Sequence, residues 1–293
     1  MSAALAPWPS PAAIEGAGPL TGWAASLRLR FAQDTQRTAL IERRHEGPLR
    51  VQKALYPEGP EVCHAIILHP PAGIAGGDSL DIRVHVDTGA RALLTSPGAT
   101  KWYRSAGQPA RQDLHLEIAA EAACEWLPQE TIVFSGALAS SRTRVDLAAT
   151  ARAAGWDILC LGRTAAGERF LKGEWHQGTH IYRTGELIWH EQARLPGGSP
   201  LLDSPAGLQG QPVVGTLWIA APELDASAQA LLAQARTVAA SRQVGVTALP
   251  GVLLARCLAD TAIDARQRLA ALWHALRPAL MGRPATEPRI WHT

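Results

Sequence analysis

Leu80-Asp81-Ile82-Arg83-Val84-His85-Val86-Asp87 alternates apolar and polar residues without error. That period marks a half-buried β-strand. Thr88-Gly89 supplies a turn, and Ala92-Leu93-Leu94-Thr95 returns. The sequence of events recurs twice. Asp113 to Ile118 alternates and returns as Cys124 to Pro128, and Arg144 to Leu147 returns near Trp156 to Leu159. The three starts lie roughly 31–32 residues apart, which predicts an internal strand-turn-strand-loop repeat, with a simple strand meander as the alternative. The fold class expected is mainly β, with stacked or solenoid-like β-sheets and a small C-terminal α-helical element.

The pattern changes in the last third. Glu223 to Val244 is rich in Ala, Leu, Gln and Arg without Gly or Pro and reads as a helix. Val246 to Leu254, broken by Pro250-Gly251, reads as a hairpin. Asp260 to Leu276 reads as a second helix with Ile263, Leu269, Leu272, Trp273 and Leu276 on its apolar face, and Pro278 is expected to end or kink it. The domain reading is therefore a disordered arm over 1–22, a β-rich body over 23–222, and a helical flank with a hairpin over 223–293, packed on the body as one domain.

Composition narrows the function. The chain has 293 residues, 47% hydrophobic, with a formal net charge of +2. That supports a folded core and gives no reason to expect nucleic acid or an acidic membrane as partner. No apolar run is long enough to cross a membrane as a helix, and no signal peptide is apparent, so a cytoplasmic location is expected. None of the four cysteines forms a CxxC pair, and they read as small buried residues. Of the 16 aromatic residues implied by Trp 10, Tyr 3 and Phe 3, Trp dominates, which suits large packing surfaces with one polar tip.

Several segments carry candidate chemistry. His69-Pro70-Pro71-Ala72-Gly73-Ile74-Ala75-Gly76-Gly77-Asp78 follows an apolar strand. It lacks the Lys-Ser/Thr of a phosphate-binding P-loop and the GxGxxG spacing, so no nucleotide is expected on this chain. Asp78 either caps its own turn or belongs to a site. Ser96 to Ser105 places Thr100, Lys101 and Arg104 after a strand end, as an anion site, a partner-facing surface or a solvated loop. In Glu125 to Ala137, Pro128 forces a bend and Glu130 stands where an apolar strand restarts. Asp157 enters an apolar run, where an unpaired charge is expensive, and a bridge to a nearby Arg such as Arg163 is the ordinary solution. Glu191 follows Trp189-His190. His176 and His180 are not spaced on a helix and do not form a helical metal pair. No nucleophile elbow or HExxH is present, so no catalytic residue is assigned.

HPPAGIAGGD at 69–78, SPGATKWYRS at 96–105, EWLPQETIVFSGA at 125–137 and LGRTAAGERF at 161–170 occur in this order. Together with Leu272-Trp273, Arg277-Pro278, Gly282-Arg283-Pro284-Ala285 and Pro288-Arg289-Ile290-Trp291, this arrangement resembles the urease accessory protein UreD (UreH) family over about 23–293. Ala72 stands where that family often has Gly, a departure a turn tolerates if φ there is negative. The resemblance implies a non-enzymatic scaffold in urease maturation. It would bind apo-urease with UreF and the GTPase UreG, and conduct Ni²⁺ transiently through an internal polar passage. Oxygen and nitrogen ligands that exchange readily suit such transfer. Carried over, the passage candidates are Asp78, Thr100, Lys101, Asp157 and Glu191, with His69 and Glu130 added. Trp273, Arg289, Ile290 and Trp291 are expected to contact a partner, UreF first. The alternative is a small-molecule enzyme with a carboxylate or triad site in an internal cleft, told apart by turnover of a substrate without urease.

Overall fold

The computed structural model describes residues 22–240 and 243–292. The expected arm over 1–22 therefore lies outside the described residues, Gly22 excepted. Among them the strands form two sheets. The first contains β1 (Ala24–Gln33), β2 (Thr38–Glu46), β6 (Ser79–Val86), β9 (Ala110–Ile118), β12 (Leu138–Leu147), β14 (Glu174–Arg183) and β15 (Glu186–Pro196), in the spatial order β15-β14-β12-β9-β6-β1-β2. The second contains β3 (Arg50–Val51), β4 (Val62–Leu68), β7 (Arg91–Thr95), β10 (Ala123–Trp126), β13 (Arg152–Leu161), β16 (Val213–Ala220), β17 (Val244–Leu249) and β18 (Val252–Ala259), in the order β17-β18-β16-β13-β10-β7-β4-β3. The short strands β5 (Gly73–Ile74), β8 (Thr100–Trp102) and β11 (Thr131–Val133) extend it off this path.

The repeat predicted from the sequence is a solenoid. β6, β9, β12 and β14 pair in parallel in one sheet, and β4, β7, β10 and β13 pair in parallel in the other. Each coil thus gives one strand to each layer, and Asp81 lies beside Asp113 and Asp113 beside Arg142. Antiparallel strands finish the sheets at β2, β15 and β16 to β18. The alternation decides what each face meets. Leu80, Ile82, Val84 and Val86 of β6 stack with Leu114, Leu116 and Ile118 of β9 in the interior between the sheets, while Arg83 and His85 look outward to solvent.

A second core lies on the other face of the larger sheet. There Trp156, Ile158, Leu217, Ile219 and Leu253 meet α1 (Glu223–Ala240) and α2 (Ala262–Met281). Leu269, Leu272, Trp273 and Leu276 of α2 are buried as expected, but Ile263 is exposed. The helix starts on Thr261, whose side chain accepts from the Asp264 N–H. It also runs past Pro278 to Met281, and Gly282 at φ 70° ends it. The four cysteines are buried and free.

Two expectations are corrected here. Ala72 has φ 61°, so the negative φ that would excuse the missing glycine is not present; the turn carries about 1 kcal/mol of left-handed strain. Trp273 and Trp291 are 1% and 5% exposed and form a cluster with Trp156, at ring-centroid distances of 5.0–6.3 Å. Their indole N–H groups donate to Glu125 and to the Thr95 hydroxyl. A side chain so enclosed cannot anchor a partner, and these two hold the C-terminus to the chain's own sheet. Arg289 remains exposed and Ile290 partly so.

Candidate functional site

The inward phase of the strands, apolar along most of its length, is polar at one level. Gln112 of β9 lies beside Ser141 of β12, which lies beside Gln177 of β14. One step along, Thr143 lies beside Thr179, and Thr179 beside Glu191 of β15. On the larger sheet Asp157 of β13 is the register partner of Thr216 on β16, and Thr216 of Arg256 on β18. These positions share the phase of Leu114, Val145, Ile181 and Leu159, which are core residues. The two sheets therefore present rows of oxygen and nitrogen atoms to each other within an otherwise apolar interior.

The rows border two cavities. The first, of about 180 Å³, is lined by Asp157, His69, Thr100, Gln112, Gln129 and Thr143 among others. The second, of about 710 Å³, is lined by Glu191, Thr216, Arg256 and Gln211 among others. Asp157 and Thr216, adjacent in register, put the walls of the two side by side.

Asp157 is the electrostatic centre. It is deeply enclosed by protein, and its residual accessibility comes from the cavity in front of it. Burial, then the nearby Glu191 carboxylate, push its pKa up from 3.8 to about 6, against a hydrogen bond from Gln177 that favours the charged form. Gln177 reaches it from the facing sheet, with its own carbonyl accepting from Trp175 Nε1 at 3.2 Å. The expected bridge to Arg163 does not form: Arg163 pairs with Glu168 at 2.6 Å. Glu191 pairs with Arg256 across the two sheets.

The other candidates divide. His69 lines the first cavity, its Nδ1 is buried with no hydrogen-bond partner among the described residues, and burial lowers its pKa, so it is a neutral imidazole at neutral pH. Thr100 lines the same cavity. Asp78 does not line it. Both its oxygens accept backbone N–H groups at 2.8 Å, from Trp23 and Ala75, so the turn-capping alternative is what the geometry shows. Lys101, between the inward Thr100 and Trp102, takes the opposite phase of β8. Glu130 acts on the Cys160 thiol, on the helix-covered side of the sheet. The structure brings together His69, Thr100 and Asp157, places Glu191 next door, and leaves Asp78, Lys101 and Glu130 outside.

Sequence reasoning missed Gln112, Ser141, Thr143, Gln177, Thr216 and Arg256. The signal was present: each is a polar residue in the inward phase of a strand otherwise apolar in that phase. Among the described residues no three His, Cys, Asp or Glu side chains group to hold a metal. A divalent cation in these cavities would keep water and take few protein oxygens, which is a weak and exchangeable arrangement.

Comparison with known proteins is consistent over the whole described chain. The profile of a family described as UreD urease accessory protein matches residues 24–292. A urease accessory protein UreD of Pseudomonas fluorescens strain Pf-5 is 54% identical over 271 residues, covering 92% of this chain and 95% of the relative. Proteins of the same name from Dechloromonas aromatica and Pseudomonas aeruginosa PAO1 are 54% and 52% identical, each across 92% of this chain and 95% of its own length.

Proposed function

The chain belongs to the UreD urease accessory protein family, and on that premise we propose that it passes Ni²⁺ through the space between its two sheets toward apo-urease. The role of the family is accessory and non-enzymatic. In this reading UreF and the GTPase UreG are partners in the delivery complex, the cytoplasm is its location, and nickel is cargo with no permanent site on this chain. No helix among the described residues is long and apolar enough to cross a membrane.

The observation that carries the reading is the polar level inside an apolar solenoid, with Asp157 at its centre. An enclosed carboxylate whose pKa has risen to about 6 is not compensated by a cation of its own. It has the free oxygen capacity that an arriving cation needs. His69, Thr100, Gln112 and Thr143 supply nitrogen and oxygen atoms on one side, and Thr216 and Glu191 on the other. Each ligand is single and weak, so the ion exchanges from one to the next with part of its water retained. Protons compete for Asp157, and cation uptake should fall as pH drops through about 6. Arg289 and Ile290 are the accessible part of the tail and are proposed as partner contacts.

The test is co-expression with the urease subunits and the other accessory proteins at limiting nickel. A variant carrying Asp157→Asn and Glu191→Gln should still be recovered in the complex, while urease is under-filled with nickel. Full nickel loading would overturn the passage. Loss of the complex itself would make the acids structural.

A further inference from the structure

The Glu191–Arg256 pair stands where the two polar rows meet. Glu191 comes from β15 of one sheet and Arg256 from β18 of the other, so the bond bridges the two sheets at the second cavity, where both side chains also reach solvent. Arg256 shares the register row of Asp157 and Thr216. A fixed positive charge in that row opposes any cation moving along it. It also occupies the carboxylate that would be the next ligand after Asp157. We propose that Arg256 is a displaceable plug, which masks Glu191 at rest and yields it when a divalent cation reaches Asp157. The proposal rests on the passage reading above.

Charge and space both allow the exchange. At rest the level holds ionised Asp157 beside the neutral Glu191–Arg256 pair, a net charge of −1. With Arg256 displaced and one divalent cation between the two carboxylates, the net charge is zero. The guanidinium cannot open the way by losing its proton, because arginine stays charged in proteins. It must move. Its side chain is 51% exposed and borders the cavity of about 710 Å³, so a rotated guanidinium has water and room to receive it. A half-exposed ion pair contributes little to stability, so breaking it is an easy step. Arg268, the other cation lining this cavity, donates to the Leu258 carbonyl at 2.8 Å and is anchored away from the exchange. A cation of one charge would gain less than a divalent one from the two acids, so the plug also favours divalent ions.

Nickel chloride is titrated calorimetrically at pH 7.5 into the full chain and into five variants of it. Arg256→Gln should bind Ni²⁺ roughly five- to tenfold more tightly, since one unit charge beside the ligand is removed. Arg256→Lys should return to nearly the original affinity. Arg256→Gln should gain clearly less in the Glu191→Gln background than in the full chain, because there only the repulsion is relieved and no acid is unmasked. If Asp157→Asn weakens binding but Arg256→Gln leaves it unchanged or weaker, the plug is wrong and the passage reading stands. If Asp157→Asn also changes nothing, the passage reading fails with it. A far-ultraviolet spectrum and melting curve for each variant show that a change in affinity is not a change in folding.

Discussion

Two sets of acids lie on opposite faces of the larger sheet, and they are built in opposite ways. On the helix side, Arg277 of α2 is 2% exposed and lies between Glu125 of β10 and Glu58 of the loop after β3. Its Nη2 donates to Glu125 at 2.6 Å and to Glu58 at 2.9 Å, and its Nη1 to Glu58 at 2.7 Å. His64 meets Glu58 at 2.6 Å and Trp273 Nε1 donates to Glu125 at 2.6 Å. Burial raises the Glu58 carboxyl, but the bonds from His64 and Arg277 outweigh it and hold it below its usual range. Every charge there has a partner. On the inner side, Asp157 faces a cavity, has a second acid nearby, and is held by one amide. The first set fastens α2 and the tail to the solenoid. In the second, Glu191 has Arg256 but Asp157 is left open, and an open carboxylate is one that can take a cation.

The contrast predicts opposite signs for removing charge. Arg277→Met strands two buried carboxylates and should lose roughly 3–5 kcal/mol, measured by urea unfolding. A loss below about 1 kcal/mol would mean that the cluster is not a fastening. Trp291→Ala, which empties part of the Trp156–Trp273 cluster, should lose about 3 kcal/mol by the same assay.

Asp157→Asn should go the other way. The folded pKa of about 6 lies above 3.8, so ionisation favours the unfolded chain. The cost is complete above about pH 6 and absent below about pH 4. The variant should therefore be more stable by on the order of 2 kcal/mol at pH 7.5 and no more stable at pH 4. A gain that does not depend on pH would assign the effect to packing. Ala72→Gly should gain about 0.5–1 kcal/mol by relieving the positive φ, and a loss would show that the methyl group is packed. Arg83→Ala breaks an exposed pair with Asp81 and should stay within about 0.5 kcal/mol.

The alternation of Leu80 to Asp87 and its two successors made the solenoid legible, because a strand with one wet face must alternate. The C-terminal hairpin was legible from Pro250-Gly251. The site was legible only in part. His69, Thr100, Asp157 and Glu191 came from motifs and a family resemblance. Their assembly at one level depends on register between coils, which local sequence does not specify. Asp78 looked like a site residue because a glycine-rich turn presents it, yet that same turn uses both of its oxygens. Trp273 and Trp291 carry the composition of an interface anchor, and composition does not distinguish a partner's surface from the chain's own sheet. Arg277 reads as a surface charge on a helix until Glu58 and Glu125, distant in sequence, are brought to it.

The direct test places both acid sets in one experiment. Protein labelled with ¹³C at the Asp and Glu carboxyl carbons is titrated with Ni²⁺, whose unpaired electrons broaden nearby resonances. The account predicts that the Asp157 and Glu191 signals broaden first, while Glu58 and Glu125 stay sharp. Broadening of Glu58 and Glu125 ahead of them, or equal indifference of all four, would contradict it.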